Sequence, residues 1–314
     1  MKSEHRCPIT YEDIPVGSRY SQRGLRRLST TLADLRDLPY SAEEQIIEAR
    51  KRSSKMSIQG VQPKLSAKLR VKESIFSLVE QGGTYILKPP QRLYPFLPEN
   101  EDLCMKMAGA ARIPVPMHGL IYAQDGTLTY FVKRFDRMGR GKKRPLEDFA
   151  QLSGKSRDTK YGSSMEQVVS IINEHCSFPM IERMELFRRT LFCFLVGNED
   201  MHLKNFSLLT VDGKIALSPA YDMVNTSIYY ADSSVEELAM PLKGKKKNLT
   251  RNDFLKYFAQ ERLQLESGAI ESVLESLHEA IQQWEQWIAR SFLDEPFQEA
   301  FRQIVNRRRA VLEF

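Results

Sequence analysis

No stretch of the 314 residues approaches the about 20 consecutive apolar positions that a membrane-spanning helix needs. The opening MKSEHRCPIT carries no hydrophobic signal segment. A cytoplasmic protein with no membrane contact is therefore expected. Cysteine is scarce: Cys7, Cys104, Cys176 and Cys193 are scattered and none forms a CxxC pair. That excludes the usual spacing of a structural zinc site and makes a disulfide framework unexpected, so the four read as buried or idle thiols. Internal repeats and low-complexity linkers are lacking as well. So are helix-turn-helix and zinc-finger patterns, which denies a DNA-binding role the support that a net charge of +6 and a pI near 9.0 would otherwise invite. The basic runs KGKKK at 243–247 and RRR at 307–309 read as solvated surface patches.

What is present is a globular chain with 42% apolar residues, long enough for one bilobal unit or two modest domains. Residues 1–56 read as an N-terminal segment, irregular at first and then helical. Ser41 is the expected N-cap of SAEEQIIEARKR, with Glu43 and Glu44 in the first turn. Leu25, Leu28, Leu32, Leu35 and Leu38 recur at steps of three and four, the spacing of a helix facing a core. Residues 57–135 are strand-rich. Short β-branched or alternating runs flank Gly82-Gly83, a helix is expected from about Glu99 to Ala111, and two strands meet at an Asp125-Gly126 turn. From 136 to 314 helices dominate, interrupted by one hairpin turning at Asp212-Gly213. The expected class is α+β, a small β-rich N-lobe followed by a larger, mainly helical C-lobe of protein kinase-like layout.

The segment GNEDMHLKNFSLL holds Asp200 and, five positions on, Asn205; Asp222 follows the hairpin in SPAYDMVNT. Phosphoryl transfer supplies a reason for this set. It needs a base to take the proton of an acceptor hydroxyl, and oxygen ligands to hold magnesium on the phosphates. Asp200 fits the first role, Asn205 and Asp222 the second, in the D-x4-N spacing of a kinase catalytic loop. The spacing alone is common; its conjunction with an apolar helix, a hairpin and a later Asp is not. His202, beside Lys204, either touches ATP or is a satisfied structural residue. On the nucleotide side neither a Walker A loop nor the GxGxxG of ordinary kinases occurs. SIQGVQPKL, with Gly60, Val61, Gln62 and Lys64, offers instead a turn whose backbone N–H groups suit phosphate. Lys88 ends the β-run YILK, and Glu101 in the next helix is placed to orient it, unless the two are an unrelated surface lysine and helix carboxylate. The connector FVKRFDR puts Lys133, Arg134 and Phe135 where an adenine would be met, unless it is an ordinary link between lobes.

These pieces together resemble one family. SIQGVQPKL, YILKPP, PENEDLCMKMA, YFVKRFDR, EDFAQL, GNEDMHLKNFSLL and LSPAYDMVNT run in family order over residues 57–226, and the whole is similar to the HipA-like toxin kinases, most closely to their shorter HipT branch. The resemblance implies ATP and Mg2+ as cofactors, with Asp200 as catalytic base and Asn205 and Asp222 on magnesium. Lys88 would lie on the ATP phosphates, Lys64 and the 57–64 loop would close over them, His202 would approach ATP, and Lys133 to Phe135 would meet the adenine. It implies autophosphorylation at Ser57, which would draw the loop off the nucleotide. It also implies a protein substrate among the aminoacyl-tRNA synthetases, the tryptophanyl enzyme being favoured, and partners in a HipS-like small antitoxin and a HipB-like DNA-binding protein, with DNA reached only through the partner. The sequence departs from full-length HipA proteins in having only 56 residues before Ser57, too few for their extra N-terminal subdomain. Gln59, where some relatives carry a second serine, leaves no two-serine switch.

Two other classes use some of the same features. A small-molecule kinase of the aminoglycoside or choline type shares the D-x4-N loop, but the basic SGKSRDTKYGSS argues against a cationic substrate. A non-catalytic scaffold beside a DNA-binding antitoxin would suit the basic charge, but not the intact set of Asp200, Asn205, Asp222 and Lys88.

Overall fold

The computed structural model describes residues 5–53, 62–154, 162–230 and 236–314. The chain folds as two compact units, one of Met1–Leu103, Pro116–Gly141 and Arg290–Leu293, the other of Cys104–Val115, Lys142–Ala289 and Asp294–Phe314. Among the described residues no helix is long and apolar enough to cross a membrane.

The first unit contains α1 (Gln22–Leu28), α2 (Ala42–Ser53), β1 (Leu65–Arg70), β2 (Ile75–Leu78), β3 (Tyr85–Lys88), the first half of α3 (Leu97–Ala110), β4 (His118–Tyr122) and β5 (Leu128–Lys133). All five strands pair antiparallel in the order β2-β1-β3-β5-β4. Ser41 caps α2 as expected, and reciprocally: the Glu44 amide donates to its Oγ at 3.2 Å while the Ser41 amide donates to the Glu44 carboxylate at 2.7 Å. The sheet buries Phe76, Tyr85 and Phe131, whose rings meet at centroid distances of 5.0 to 6.1 Å. Each such pair contributes about 0.5–1.5 kcal/mol beyond its area.

The leucine periodicity outruns its helix. α1 stops at Leu28, yet Leu32, Leu35 and Leu38 are as buried as a helical face would make them. Ser29 and Thr31 break the helix. The Thr31 amide donates to the Ser29 hydroxyl, a local alternative to the helical bond. Beyond that point the chain is held from outside: the Arg36 amide donates to Ser74 O at 2.8 Å and the Leu38 amide to Tyr122 O at 2.9 Å. The leucines are a strap over the sheet core rather than a helix face.

The second unit holds β6 (Leu146–Asp148), α4 (Phe149–Leu152), α5 (Met165–His175), α6 (Pro179–Val196), β7 (Ser207–Val211), β8 (Lys214–Leu217), α7 (Ser267–Arg290, up to Ala289) and α8 (Glu295–Leu312). The hairpin β7–β8 turns where expected, with Asp212 and Gly213 both at positive φ, 49° and 76°. The sequence reading lacked β6, which pairs with β7; three residues are too short to show a period. α6 is the apolar axis of this unit, buried almost without interruption from Leu186 to Val196.

α6 ends at Gly197, in the left-handed region at φ 70°. A Cβ there would stand 2.7 Å from Ser227 Oγ, 2.8 Å from Ile304 Cγ2 and 3.0 Å from Asn225 Oδ1. Both conformation and space therefore demand glycine. Gly197→Ala is expected to cost roughly 2–5 kcal/mol, the sum of left-handed strain and overpacking, read as a lowered urea midpoint with unchanged slope.

Candidate active site

β3 is a central strand, bonded to β1 on one side and β5 on the other, and Lys88 is its last residue. Pro89 and Pro90 lack the N–H that would continue the ladder, so the strand ends there. The Lys88 side chain is 2% exposed and its Nζ lies 2.5 Å from Glu101 Oε1 on α3, itself 1% exposed. Nζ also stands 5.6 Å from the ring of Tyr130, its cross-strand neighbour. A buried ammonium needs such a partner, and removing either member of a buried pair typically costs about 3–5 kcal/mol. The expected orientation of Lys88 by Glu101 is thus a built ion pair.

The next residue of α3 repeats the device. Asp102 Oδ1 lies 2.8 Å from His118 Nδ1 on β4, both buried. Glu99, one of the acidic residues of PENED, is buried with its Oε2 lacking a hydrogen-bond partner among the described residues. Burial, with the negative Asp102 nearby adding to it, pushes its carboxyl up to about 7. Asp102, Glu99 and His118 escaped the sequence reading, although three acids in four residues at a helix start were the visible signal.

Of the other nucleotide-side residues, Ser57, Gly60 and Val61 lie outside the described residues. Gln62 and Lys64 lead into β1, both partly buried. In the connector, the backbone N–H groups of two of the three residues expected at the adenine are spent in the sheet: Lys133 donates to Met117 O at 2.8 Å and Arg134 to Thr84 O at 2.9 Å. The Arg134 guanidinium grips Asp136 with two bonds of 3.0 and 2.8 Å, and Arg137 approaches the same carboxylate at 3.2 Å. An adenine contact from Lys133 or Arg134 would therefore fall to carbonyl oxygens, which accept a second bond, not to their N–H groups or to the Arg134 side chain.

In the second unit the loop after Gly197 is closed on itself. The Asp200 amide donates to Asn198 Oδ1 at 3.1 Å, the His202 amide to Asp200 O at 2.8 Å, and Asn205 Nδ2 to the same Asp200 O at 2.8 Å. The Asp200 carboxylate is half exposed, with His202 Nε2 3.8 Å from Oδ1. Because Asn205 donates through Nδ2, its Oδ1 is left for another partner. Lys204 contributes its carbonyl, which accepts from Tyr221 Oη at 3.0 Å. Tyr221 Oη also meets Ser207 Oγ at 2.5 Å, so this one phenol ties the residue before Asp222 to the Asp200–Asn205 loop and to β7. Burial raises the Tyr221 phenol, favouring the protonated form that can donate. Asp222 itself sits at φ 54°, a conformation that costs a non-glycine residue about 1–3 kcal/mol and is concentrated at functional sites. Behind it, the sulfur of Met223 lies 3.7 Å from Asn198 Nδ2, and Thr226 Oγ1 accepts from the Glu199 amide at 2.8 Å. The structure thus laces the Asp222 segment to the Asp200–Asn205 loop.

Carboxylate and amide oxygens are the donors a hard cation takes. Among the described residues no group of three or more His, Cys, Asp or Glu side chains is arranged to hold a metal by itself. Asn205 and Asp222 fit magnesium, which keeps waters and phosphate oxygens among its ligands and needs few from protein.

The model of the HipA-like C-terminal domain matches residues 56–285, and the chain belongs to that family. A Haemophilus influenzae protein described as "Putative kinase" is 35% identical over 238 residues, 72% of this chain and 68% of that protein. The serine/threonine-protein kinase toxin HipA of Shewanella oneidensis is 27% identical over 208 residues, 60% of this chain and 47% of its own. Among solved structures, the Shewanella oneidensis complex of HipA, HipB and operator DNA contains a chain that matches with TM-score 0.67 at 23% identity, over 90% of this chain and 74% of that one. At that identity the likeness establishes the fold, the expected α+β class with a β-rich N-terminal part and a helical C-terminal part.

Glu99 makes this region pH-sensitive. An ordinary glutamate ionises near 4.5, whereas Glu99 in the fold holds its proton to about 7. In that window the folded state keeps a proton the unfolded state has released, so stability falls as pH rises, by at most about 1.4 kcal/mol per unit, and levels off above it. Urea titrations from pH 4.5 to 8 are expected to show this slope in the wild type and a flatter profile in Glu99→Gln. An unchanged slope would exclude Glu99 as its source.

Proposed function

We propose that this member of the HipA-like family is an ATP-dependent serine/threonine protein kinase of the HipT branch, a toxin that transfers the γ-phosphate of ATP to a serine of an aminoacyl-tRNA synthetase and so halts translation. The observation that carries the reading is that one chain holds two built features: a buried strand lysine held by a helix glutamate, and a D-x4-N loop laced to a later Asp at positive φ. The serine/threonine specificity and the toxin role are supported by the described activity of the Shewanella relative. The tryptophanyl enzyme is the favoured substrate and the cytoplasm the site of action.

In this reading residues 57–135 form the nucleotide lobe and 136–314 the catalytic lobe. Lys88, fixed by Glu101, binds the α- and β-phosphates; Lys64 and the loop of Gly60, Val61 and Gln62 cover them. The stretch Lys133 to Phe135 meets the adenine, and His202 and Lys204 approach the phosphates. Asn205 and Asp222 hold Mg2+, which when bound neutralises charge on the phosphate oxygens. Asp200 takes the proton of the acceptor serine hydroxyl as its oxygen bonds to the γ-phosphorus and ADP leaves. The half exposure of Asp200 suits a base that must be reached by a protein substrate.

Regulation in this reading has two parts. Phosphate on Ser57 adds roughly −1.5 to −2 charges beside Arg50, Lys51, Arg52 and Lys55 and cannot share space with ATP, so the loop is held out and transfer stops. A HipS-like small protein and a HipB-like DNA-binding protein neutralise the toxin, in line with the HipA–HipB–operator complex of the structural relative.

The test is purified protein with radiolabelled ATP and magnesium. Asp200→Asn and Asp222→Asn are expected to abolish labelling, Asp222→Asn also weakening Mg-ATP binding. Peptide mapping of the wild type is expected to find phosphate on Ser57. Transfer at near wild-type rate in either variant rejects the catalytic assignment, and phosphate confined to other positions with Ser57 bare rejects the switch.

A further inference from the structure

The run RRR at 307–309 reads from sequence as a solvated patch, and Arg307 is exposed, but Arg308 is 4% exposed. It lies beyond residue 285, where the match to the family domain ends. From α8 its Nη1 reaches Glu237 at 2.6 Å and its Nη2 reaches Glu199 at 3.4 Å, while its guanidinium carbon stands 4.9 Å from the ring of Phe194 on α6. The other basic run keeps to the surface: Lys243 and Lys245 approach Asp253, and Lys246 approaches Glu236. Arg308 is thus the one member of the two runs drawn inside among the described residues.

What it reaches matters. Glu199 is the residue immediately before Asp200, and its side chain is 7% exposed where that of Asp200 is 51% exposed. Glu199 also accepts from the Ser227 hydroxyl, and its amide donates to Thr226. The Thr226 and Ser227 amides and the Thr226 hydroxyl in turn donate to the Gly197 carbonyl at 3.0 to 3.2 Å, and the Ser227 hydroxyl oxygen, whose one hydrogen goes to Glu199, lies 3.1 Å from it. Arg308 therefore closes a chain of bonds running from the C-terminal helix to the peptide that carries Asp200 and to the stretch behind Asp222. α8 is applied directly here, since Ile304, one turn earlier, is the residue that would strike a Cβ at Gly197.

We propose that Arg308 is a positioning residue for phosphoryl transfer, acting through Glu199 to fix the Asn198–Asp200 peptide. The proposal rests on the kinase reading above. A guanidinium held by two carboxylates and a ring has a defined place, and a backbone anchored to it cannot drift. Misplacing a catalytic group by about 1 Å can cost on the order of 100-fold in rate. Glu237 balances the far side of the same guanidinium and bonds the Leu249 amide at 2.8 Å, away from the loop.

The experiment compares wild type, Arg308→Met, Glu199→Gln, their double variant and, as a control in the same basic run, Arg307→Met, whose side chain is exposed. It measures kcat and KM for ATP turnover, and hydrogen–deuterium exchange of residues 197–206. Arg308→Met and Glu199→Gln are expected to lower kcat by about 10- to 100-fold with KM within about threefold. The double variant is expected to be no slower than the slower single one, because both cut the same link. Exchange should rise in 197–206 in each of these, and Arg307→Met should stay within about twofold of wild type. Should Arg308→Met fail to fold, Glu199→Gln, which keeps the size of the side chain and an acceptor for Ser227, carries the test. A wild-type kcat in folded Glu199→Gln, additive losses in the double variant, or equal damage from Arg307→Met would overturn the proposal. Absence of turnover in the wild type would instead reject the kinase reading; the clamp then stands or falls on the exchange data alone.

Discussion

One carbonyl oxygen, that of Gly197, is the point on which the second unit's chemistry-bearing segments converge. It accepts from the amides of Thr226 and Ser227 and from the Thr226 hydroxyl. A carbonyl at the end of a helix is an orphan acceptor that something must satisfy. Here the chain that follows Asp222 returns to do so, and the cap of α6 becomes the joint between two loops far apart in sequence. The joint tolerates only glycine, since the left-handed turn that exposes the carbonyl also brings three side chains within 3.0 Å of where a Cβ would be. Asp200 leaves this joint on one strand of chain and Asp222 enters it on another.

Buried charge organises both units, and the physical logic is the same in each. Lys88 with Glu101, Asp102 with His118, Arg189 with Glu185, and Arg308 with Glu199 and Glu237 are all ions or potential ions held out of water by a partner on another element or another turn. Such pairs seldom add net stability over apolar side chains of the same volume, because desolvation offsets the attraction. What they add is geometry. Arg189 shows it: besides Glu185 it donates to Ser218 O at 2.7 Å, fixing the chain just after β8 to the axis helix. A leucine in its place would fill the space and hold nothing. The ions occur beside the residues whose exact placement the proposed chemistry needs.

Much of this was legible in the sequence where short-range physics decides. The Asp212-Gly213 turn, the Ser41 cap and the strand ending in Lys88 each follow from residues within one turn of the feature. The failures share the opposite property. Leu32, Leu35 and Leu38 have a helical period, but their backbone is claimed by distant acceptors at Ser74 and Tyr122. Strand β6 exists because β7 supplies its partner, not because LED has a strand pattern. Arg308 looked solvated until tertiary structure supplied Glu199, 109 positions away. Periodicity and motif spacing report local preference; a side chain's commitment to a remote partner leaves no mark in its neighbours.

Adjacent carboxylates divide labour by environment. Glu199 and Asp200 are joined by one peptide bond, yet one is buried and the other half exposed. Burial raises the Glu199 carboxyl, with Ser227 and Arg308 opposing it. It is spent on structure. Asp200, half exposed and with His202 Nε2 3.8 Å from its carboxylate, has no comparable burial to hold it in place. Rigid placement of such a group has to come from the backbone, through the Asn198, His202 and Asn205 bonds around it and the buried neighbour behind it. In the proposed reading Asp200 is a base that must meet a protein hydroxyl, and such a base cannot be buried. The fold resolves the conflict by burying the residue before it.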